Sequence, residues 1–117
     1  MIAPLSNGNV AYLIHMAKAA GLPWDAVFGA DLFRRYKPAP ETYLGASAHL
    51  GHAPEHVMLV ASHPYDLDAA AKHGLKTCYV SRPLEYGEGR VVEPTPEPGR
   101  FDHMVADLGE LAALADC

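Results

Sequence analysis

Three polar clusters, each just past a short apolar run, hold the residues best suited to chemistry: Leu5-Ser6-Asn7-Gly8, Lys37-Pro38 and Ser62-His63-Pro64-Tyr65-Asp66. Between them they supply hydroxyls, a carboxamide, an ammonium, an imidazole and a carboxylate. A reaction that develops or moves negative charge needs fixed cations and hydrogen-bond donors around it. Lys37 is the group that can neutralise an anion. Ser6, Asn7 and Gly8, placed where a helix begins, can offer side-chain donors and unpaired N–H groups to a carboxylate or phosphate. Asp66 supplies the carboxylate, and His63 can accept or donate a proton near neutral pH.

Each residue also has a plainer reading, and the local chemistry leaves both open. Lys37 can be a solvated loop lysine. Ser6 and Asn7 can simply cap a helix, and Asp66 can do the same at the next one. His63 can be a turn histidine bonded to backbone. Asp66 and Asp68 are two apart, so on a helix they point to different faces and do not share one ion. His49, His52 and His56 have suggestive spacings, but Gly51 and Pro54 break any common helical face and no cysteine lies nearby. A zinc site is therefore not expected there.

The elements that must position these clusters follow from apolar periodicity and punctuation. Ile2 to Leu5 predicts a short strand, with Asn7, Gly8 and Asn9 able to cap a helix carrying Val10, Leu13, Ile14 and Ala17. Gly21 and Pro23 end that helix. Ala26 to Phe28 predicts a brief second strand, and Asp31 to Lys37 a loop, because Lys37 precedes proline. Pro40 suits a first helical turn, with Tyr43, Leu44, Ala46 and Leu50 following and Gly51 closing. Val57 to Ala61 predicts a strand covered on both faces. Asp66 to His73 predicts a helix capped by Gly74, and Thr77 to Val80 the next strand. Arg82 to Arg100, rich in proline and glycine, predicts an irregular connection. Asp107 and Glu110 make a candidate capping box for a last helix through Leu108, Leu111, Ala112 and Leu114. Alternating strands and helices imply a mostly parallel α/β sheet with helices on both faces. Side chains at the carboxyl ends of its strands would then converge.

Bulk properties bound the rest. At 117 residues and 50% hydrophobic, the chain has the size of one domain burying about two-thirds of its unfolded surface. A net charge of -5 argues against a nucleic-acid partner. The two cysteines, Cys78 and Cys117, read as unused thiols, which fits a reducing cytoplasm. No apolar stretch approaches the ~20 residues of a membrane helix, so no membrane partner is expected.

Taken in order, Leu5-Ser6-Asn7-Gly8-Asn9, Lys37-Pro38 with Tyr43, Ala61-Ser62-His63-Pro64-Tyr65-Asp66 and Tyr79-Val80-Ser81-Arg82-Pro83 resemble the haloacid dehalogenase superfamily, and within it the type II 2-haloacid dehalogenases. The likeness covers nearly all of this chain but only the rear part of the family's core domain. It implies a parallel Rossmann-like sheet lacking the family's first strand and its helical cap. It also implies a hydrolase whose aspartate attacks the halogen-bearing carbon of a small 2-haloacid, forming an ester that water cleaves, with no cofactor. By that resemblance Ser6 and Asn7 would hold the substrate carboxylate, and Lys37 would neutralise the nucleophile. Tyr43 would support the site, Asp66 would position groups for ester hydrolysis, and Ser62 and His63 would contact substrate. His63 departs from the asparagine more usual there. Ser62 and His63 offer no second acid for magnesium, which disfavours a phosphatase and any metal.

The chain opens at Met1 just ahead of the first cluster, so no upstream residue is expected to add a catalytic group. The nucleophilic aspartate, the threonine after it and the cap arginine would then be absent. The isolated chain is then expected to be an inert piece of a hydrolase, or else a non-catalytic module or the complementing half of a split enzyme. Its sheet, lacking the middle strand, is expected to close by direct pairing of the two flanking strands, by exchange of elements between two copies, or by binding of a missing N-terminal segment.

Overall fold

A computed structural model describes residues 1–115 of the chain. The expectation for Cys117 lies outside the described residues. The chain divides into two compact units, Met1–Val57 and Met58–Cys117.

In the first unit, α1 spans Val10–Ala20, α2 Ala30–Phe33 and α3 Pro40–Leu50. Asn9 caps α1: its side chain accepts the Tyr12 N–H at 2.7 Å, and Gly21 ends the helix in the left-handed region at φ 68°. Three expectations need correction. The strands foreseen at Ile2 to Leu5 and at Ala26 to Phe28 are reduced to a single parallel bridge, Leu5 to Phe28. Its bonds run from Ser6 N–H to Phe28 O and from Phe28 N–H to Pro4 O, both 3.0 Å. Pro4 has no N–H to extend the ladder upstream, and Gly29 turns the chain away downstream. The loop foreseen at Asp31 to Lys37 holds the one-turn helix α2, closed by Arg34 at φ 54°. Its reason is packing. A Cβ on Gly45 of α3 would come within 2.6 Å of the Phe33 ring, so that glycine is what lets the ring lie against α3. Phe33 and Phe28 stand 6.0 Å apart, and both meet His49 edge-on. Pro40 begins α3 as foreseen, Gly51 ends it at φ 75°, and Tyr43 is fully buried.

In the second unit, β1 spans Met58–Ala61, α4 Pro64–Lys72, β2 Lys76–Val80, β3 His103–Val105 and α5 Leu108–Leu114. The strands form one parallel sheet in the order β1-β2-β3, with Ala61 beside Tyr79 and Val80 beside Val105. This is the parallel α/β fold expected, but β1 is not covered on both faces as foreseen: Met58 and Val60 on it are exposed, because it lies at the edge of the sheet. Helix α4 crosses over between β1 and β2 and packs on both, while α5 packs on β3. Leu67 and Ala70 of α4 are fully buried; Cys78, Val80 and Val105 form a core that Leu111 covers. Burial pushes the Cys78 thiol up, and the Glu110 charge adds to that, so it stays protonated and inert. Helix α4 starts at Pro64 rather than Asp66, which places Asp66 inside the first turn instead of at the cap.

Strand β3 is not evident in the sequence, being only three residues long, too short to show alternation. It is fastened by Asp102, whose Oδ2 accepts the Thr77 N–H at 2.9 Å and the Thr77 hydroxyl at 3.2 Å. The segment from Arg82 to Arg100 has no helix or strand, as expected. Its far end is held by Arg100, which pairs with Asp68 at 2.6 Å and lies over the Phe101 ring. Asp107 caps α5 by accepting the Glu110 N–H at 2.8 Å, but the foreseen capping box is shifted: Glu110 Oε2 accepts from the Ala106 N–H at 2.7 Å, one residue ahead of the cap. Among the described residues no helix is long and apolar enough to cross a membrane.

The Thr77 backbone N–H holds the Asp102 carboxyl below its ordinary 3.8, helped by the Thr77 hydroxyl, Lys76 and His103 against a smaller opposing cost of burial. A carboxyl lowered on folding stabilises the fold above its unfolded value, and that contribution disappears as the pH falls through the folded one. Asp102→Ala should cost about 1 kcal/mol at neutral pH, since the charge-assisted bonds are part-buried but Asp102 itself is exposed. Urea unfolding should show the gap between the two proteins closing as the pH drops below 3.8.

Candidate active site

The first unit gathers Ser6, Asn7 and Lys37. The Leu5 to Phe28 bridge delivers Ser6 to the end of an extended segment, and the chain then turns tightly into α1. The Ser6 Oγ accepts the Gly8 N–H at 3.0 Å, which fixes the turn and leaves the hydroxyl proton able to donate. The Asn7 Oδ1 accepts the Lys37 N–H at 2.7 Å across 30 positions. That bond uses the acceptor end of the carboxamide, so the two Nδ2 protons are the end that can donate. Lys37 itself is half-buried, and the Lys37–Pro38 peptide is cis.

The corner that holds this turn has no spare room. A Cβ on Gly29 would sit 2.6 Å from Val10 N and 2.7 Å from Gly8 O, both backbone atoms. Gly8 O also accepts the Ala30 N–H, and the Asp31 carboxylate accepts the Val10 N–H at 2.9 Å. An open cleft of about 500 Å³ lies beside the turn, bordered by Asn7, Asn9, Asp31, Arg34 and Arg35. Its size suits a small organic ligand. Tyr43 is fixed in the buried face of α3 between Thr42 and Ser47, whose hydroxyls donate to Ala39 O and Tyr43 O.

The second unit gathers Ser62, His63 and Asp66. Strand β1 ends at Ala61, and Ser62 and His63 form the link into α4, with His63 at the cap position and no side-chain capping bond. Asp66 is 5% exposed in the first helical turn, where the helix dipole favours a carboxylate. Asp68 points elsewhere, to Arg100.

His63 does not bond to backbone as the plainer reading had it. Its Nε2 stands 3.0 Å and 3.1 Å from the two oxygens of Glu85, and its ring stacks on Tyr65 at 6.1 Å. Glu85 escaped the sequence reading because it sits in the proline- and glycine-rich segment, whose local pattern carries no hint of a long-range partner. A cavity of about 50 Å³ is lined by Ser62, His63, Ser81, Glu85 and Tyr86. His49, the first histidine of the weighed zinc trio, bonds through Nδ1 to Gly45 O. Among the described residues no group of histidine, cysteine, aspartate or glutamate is arranged to hold a metal.

Residues 6–80 match the family described as haloacid dehalogenase-like hydrolase. The (S)-2-haloacid dehalogenase 4A of Burkholderia cepacia is 38% identical over 97% of this chain and 47% of its own length. The crystal structure of a defluorinating L-2-haloacid dehalogenase superposes with a TM-score of 0.93 at 44% identity, over 100% of this chain and 47% of that one. The L-2-haloacid dehalogenase of Xanthobacter autotrophicus, solved with chloropropionic acid covalently bound, superposes with a TM-score of 0.80 at 28% identity, over 97% and 54%. The chain thus spans about half the length of the relatives it matches.

Two outcomes follow from the geometry of the turn. Gly29→Ala should destabilise the first unit by about 1–3 kcal/mol, because neither flanking backbone atom can yield cheaply; denaturant unfolding measures it. Asn7→Ala should speed hydrogen exchange at the Lys37 amide about fivefold, the worth of one ordinary hydrogen bond.

Proposed function

The chain belongs to the haloacid dehalogenase-like hydrolases, and on that premise we propose that it carries the anion-holding, charge-neutralising and water-directing groups for hydrolytic removal of halide from a small 2-halocarboxylic acid. The observation that carries this reading is the Asn7 to Lys37 bond, which ties a donor-rich turn to a lysine-bearing loop. On this reading the Ser6 hydroxyl and the Asn7 Nδ2 group donate to the substrate carboxylate. The Lys37 ammonium balances a carboxylate nucleophile, and Tyr43 keeps the helix behind it rigid. Asp66, Ser62 and His63 serve the water that cleaves the resulting ester. The covalently bound chloropropionic acid of the Xanthobacter autotrophicus relative supports an ester intermediate. No cofactor is required, and a reducing cytoplasm suits the buried free thiol of Cys78.

A second reading concerns partners. Among the described residues strand β1 pairs with β2 alone, and Met58 and Val60 on it are exposed. An open edge of that kind favours strand pairing. We assign it either to a further segment or to a second copy of the chain, and on this reading turnover requires the completed sheet.

The test is halide release from 2-chloropropionate by the chain alone and mixed with the unmatched half of the Burkholderia cepacia relative. Release is expected in the mixture. Lys37→Ala should lower it by about 10²-fold or more, the scale of losing one charge-stabilising group. Magnesium-dependent release of phosphate from a generic phosphate ester, without halide release, would overturn the proposal.

A further inference from the structure

We infer that Glu85 is a positioning residue that fixes the His63 imidazole as the proton acceptor for the water of the ester-cleaving step. This rests on the hydrolase reading above. It comes from a side-chain pair in the second unit that links the end of β1 to the irregular segment beyond β2.

Both Glu85 oxygens lie within 3.1 Å of the same ring nitrogen, Nε2. An ionised carboxylate only accepts, so Nε2 must carry the proton, and in the neutral ring the lone pair then falls on Nδ1. A carboxylate that orients an imidazole in this way sets which nitrogen is basic. The pair is shielded, with the Glu85 side chain 15% and the His63 side chain 32% exposed. The remaining neighbours restrict it further. The Tyr65 ring lies nearly parallel to the imidazole, and the Arg82 guanidinium stands 3.7 Å from Glu85 Oε1.

His63 occupies the cap position of α4 without capping it. Serine, aspartate or asparagine would cap better, so helix formation does not account for a histidine there. Water has room beside the pair: the adjoining cavity of about 50 Å³ exceeds the ~10–15 Å³ one water needs. The hydroxyl-bearing Ser62 and Ser81 line it, as do His63 and Glu85 themselves.

The step balances without a further reagent. A water oxygen forms a bond to the carbonyl carbon of the enzyme-bound carboxylic ester while His63 Nδ1 takes its proton. The acyl–oxygen bond then breaks, and the departing hydroxy-acid oxygen takes the proton back from Nδ1. The enzyme carboxyl group, freed with the water's second proton, ionises to regenerate the starting carboxylate.

Turnover of 2-chloropropionate by the halide-releasing mixture tests this with Glu85→Ala, Glu85→Gln, His63→Ala and the double variant His63→Ala/Glu85→Ala. Glu85→Ala should still give a stoichiometric burst of halide and accumulate the ester, seen as added mass on the protein. Its steady-state rate should fall by about 10²-fold, within the range of a general base. The double variant should be no slower than His63→Ala, because the two groups act as a unit. Wild-type steady-state turnover in Glu85→Ala overturns the proposal. So does a double variant well below His63→Ala, which would mark Glu85 as a tether only.

Long-range ¹H–¹⁵N spectra of the chain supply a readout independent of activity. The His63 proton should sit on Nε2 in wild type and in Glu85→Gln, which keeps an acceptor oxygen, and should be shared between the nitrogens in Glu85→Ala. A wild-type proton on Nδ1 overturns the proposal even where no halide is released. Absence of halide with the proton on Nε2 counts against the hydrolase reading and leaves the positioning role of Glu85 supported.

Discussion

The bond from Lys37 N–H to Asn7 Oδ1 is the constraint around which the first unit is organised. A lysine in a loop is ordinarily a mobile cation, and its value to chemistry depends on what fixes the backbone beneath it. Here the fixing group is a side chain that itself belongs to the turn leading into α1. The turn is defined in its own right by Ser6 Oγ on Gly8 N–H and by Asn9 on Tyr12 N–H. One carboxamide therefore couples two loops while keeping its donor end for a ligand. The tight approach at Gly29, where backbone would meet a Cβ at 2.6 Å, is the steric counterpart of that economy.

The second unit solves a different problem. A short parallel sheet has weak edges, and parallel pairing is less stable per residue than antiparallel. Two side-chain clips compensate by reaching from the irregular segment and its flank back to the regular elements. Asp102 binds both polar groups of Thr77, and Arg100 pairs with Asp68 on α4. Glu85 makes a third such reach, to His63, but with a difference in chemistry. The first joins a carboxylate to a threonine and the second is an exposed ion pair, whereas the third joins a carboxylate to an imidazole beside a small polar cavity. That contrast separates a fastening from a candidate reacting group.

Much of this was legible in the sequence wherever the signal is local. Asn9 with Val10, Leu13 and Ala17 marks α1, Gly21 and Gly51 mark helix ends, and the run before Ser62 marks β1. Asp107 with Glu110 marks α5. The clusters around Ser6, Lys37 and His63 were visible as polar residues following apolar runs. What escaped is non-local in every case. Helix α2 depends on Phe33 finding the space left by Gly45. Strand β3 depends on Thr77 and Asp102, 25 positions apart. Glu85 acquires meaning only from a histidine 22 positions earlier. The strand expected at Ala26 to Phe28 failed for a local reason that could have been weighed, since Pro4 removes a donor from its partner segment.

On the proposed reading, the division of roles between the two units follows from what each backbone can offer. The turn into α1 presents donors and is bordered by Arg34 and Arg35, so it suits binding and charge neutralisation, which need positive potential held still. The link into α4 presents a buried carboxylate and an imidazole fixed by a second carboxylate, so it suits proton handling, which needs acceptors. Asparagine at position 63 could hold a water but could not take its proton; histidine can do both, provided something decides which nitrogen is basic. A partner drawn from the irregular segment between β2 and β3 makes that decision at little cost to the fold, because the segment forms no ladder that a change in its path would break.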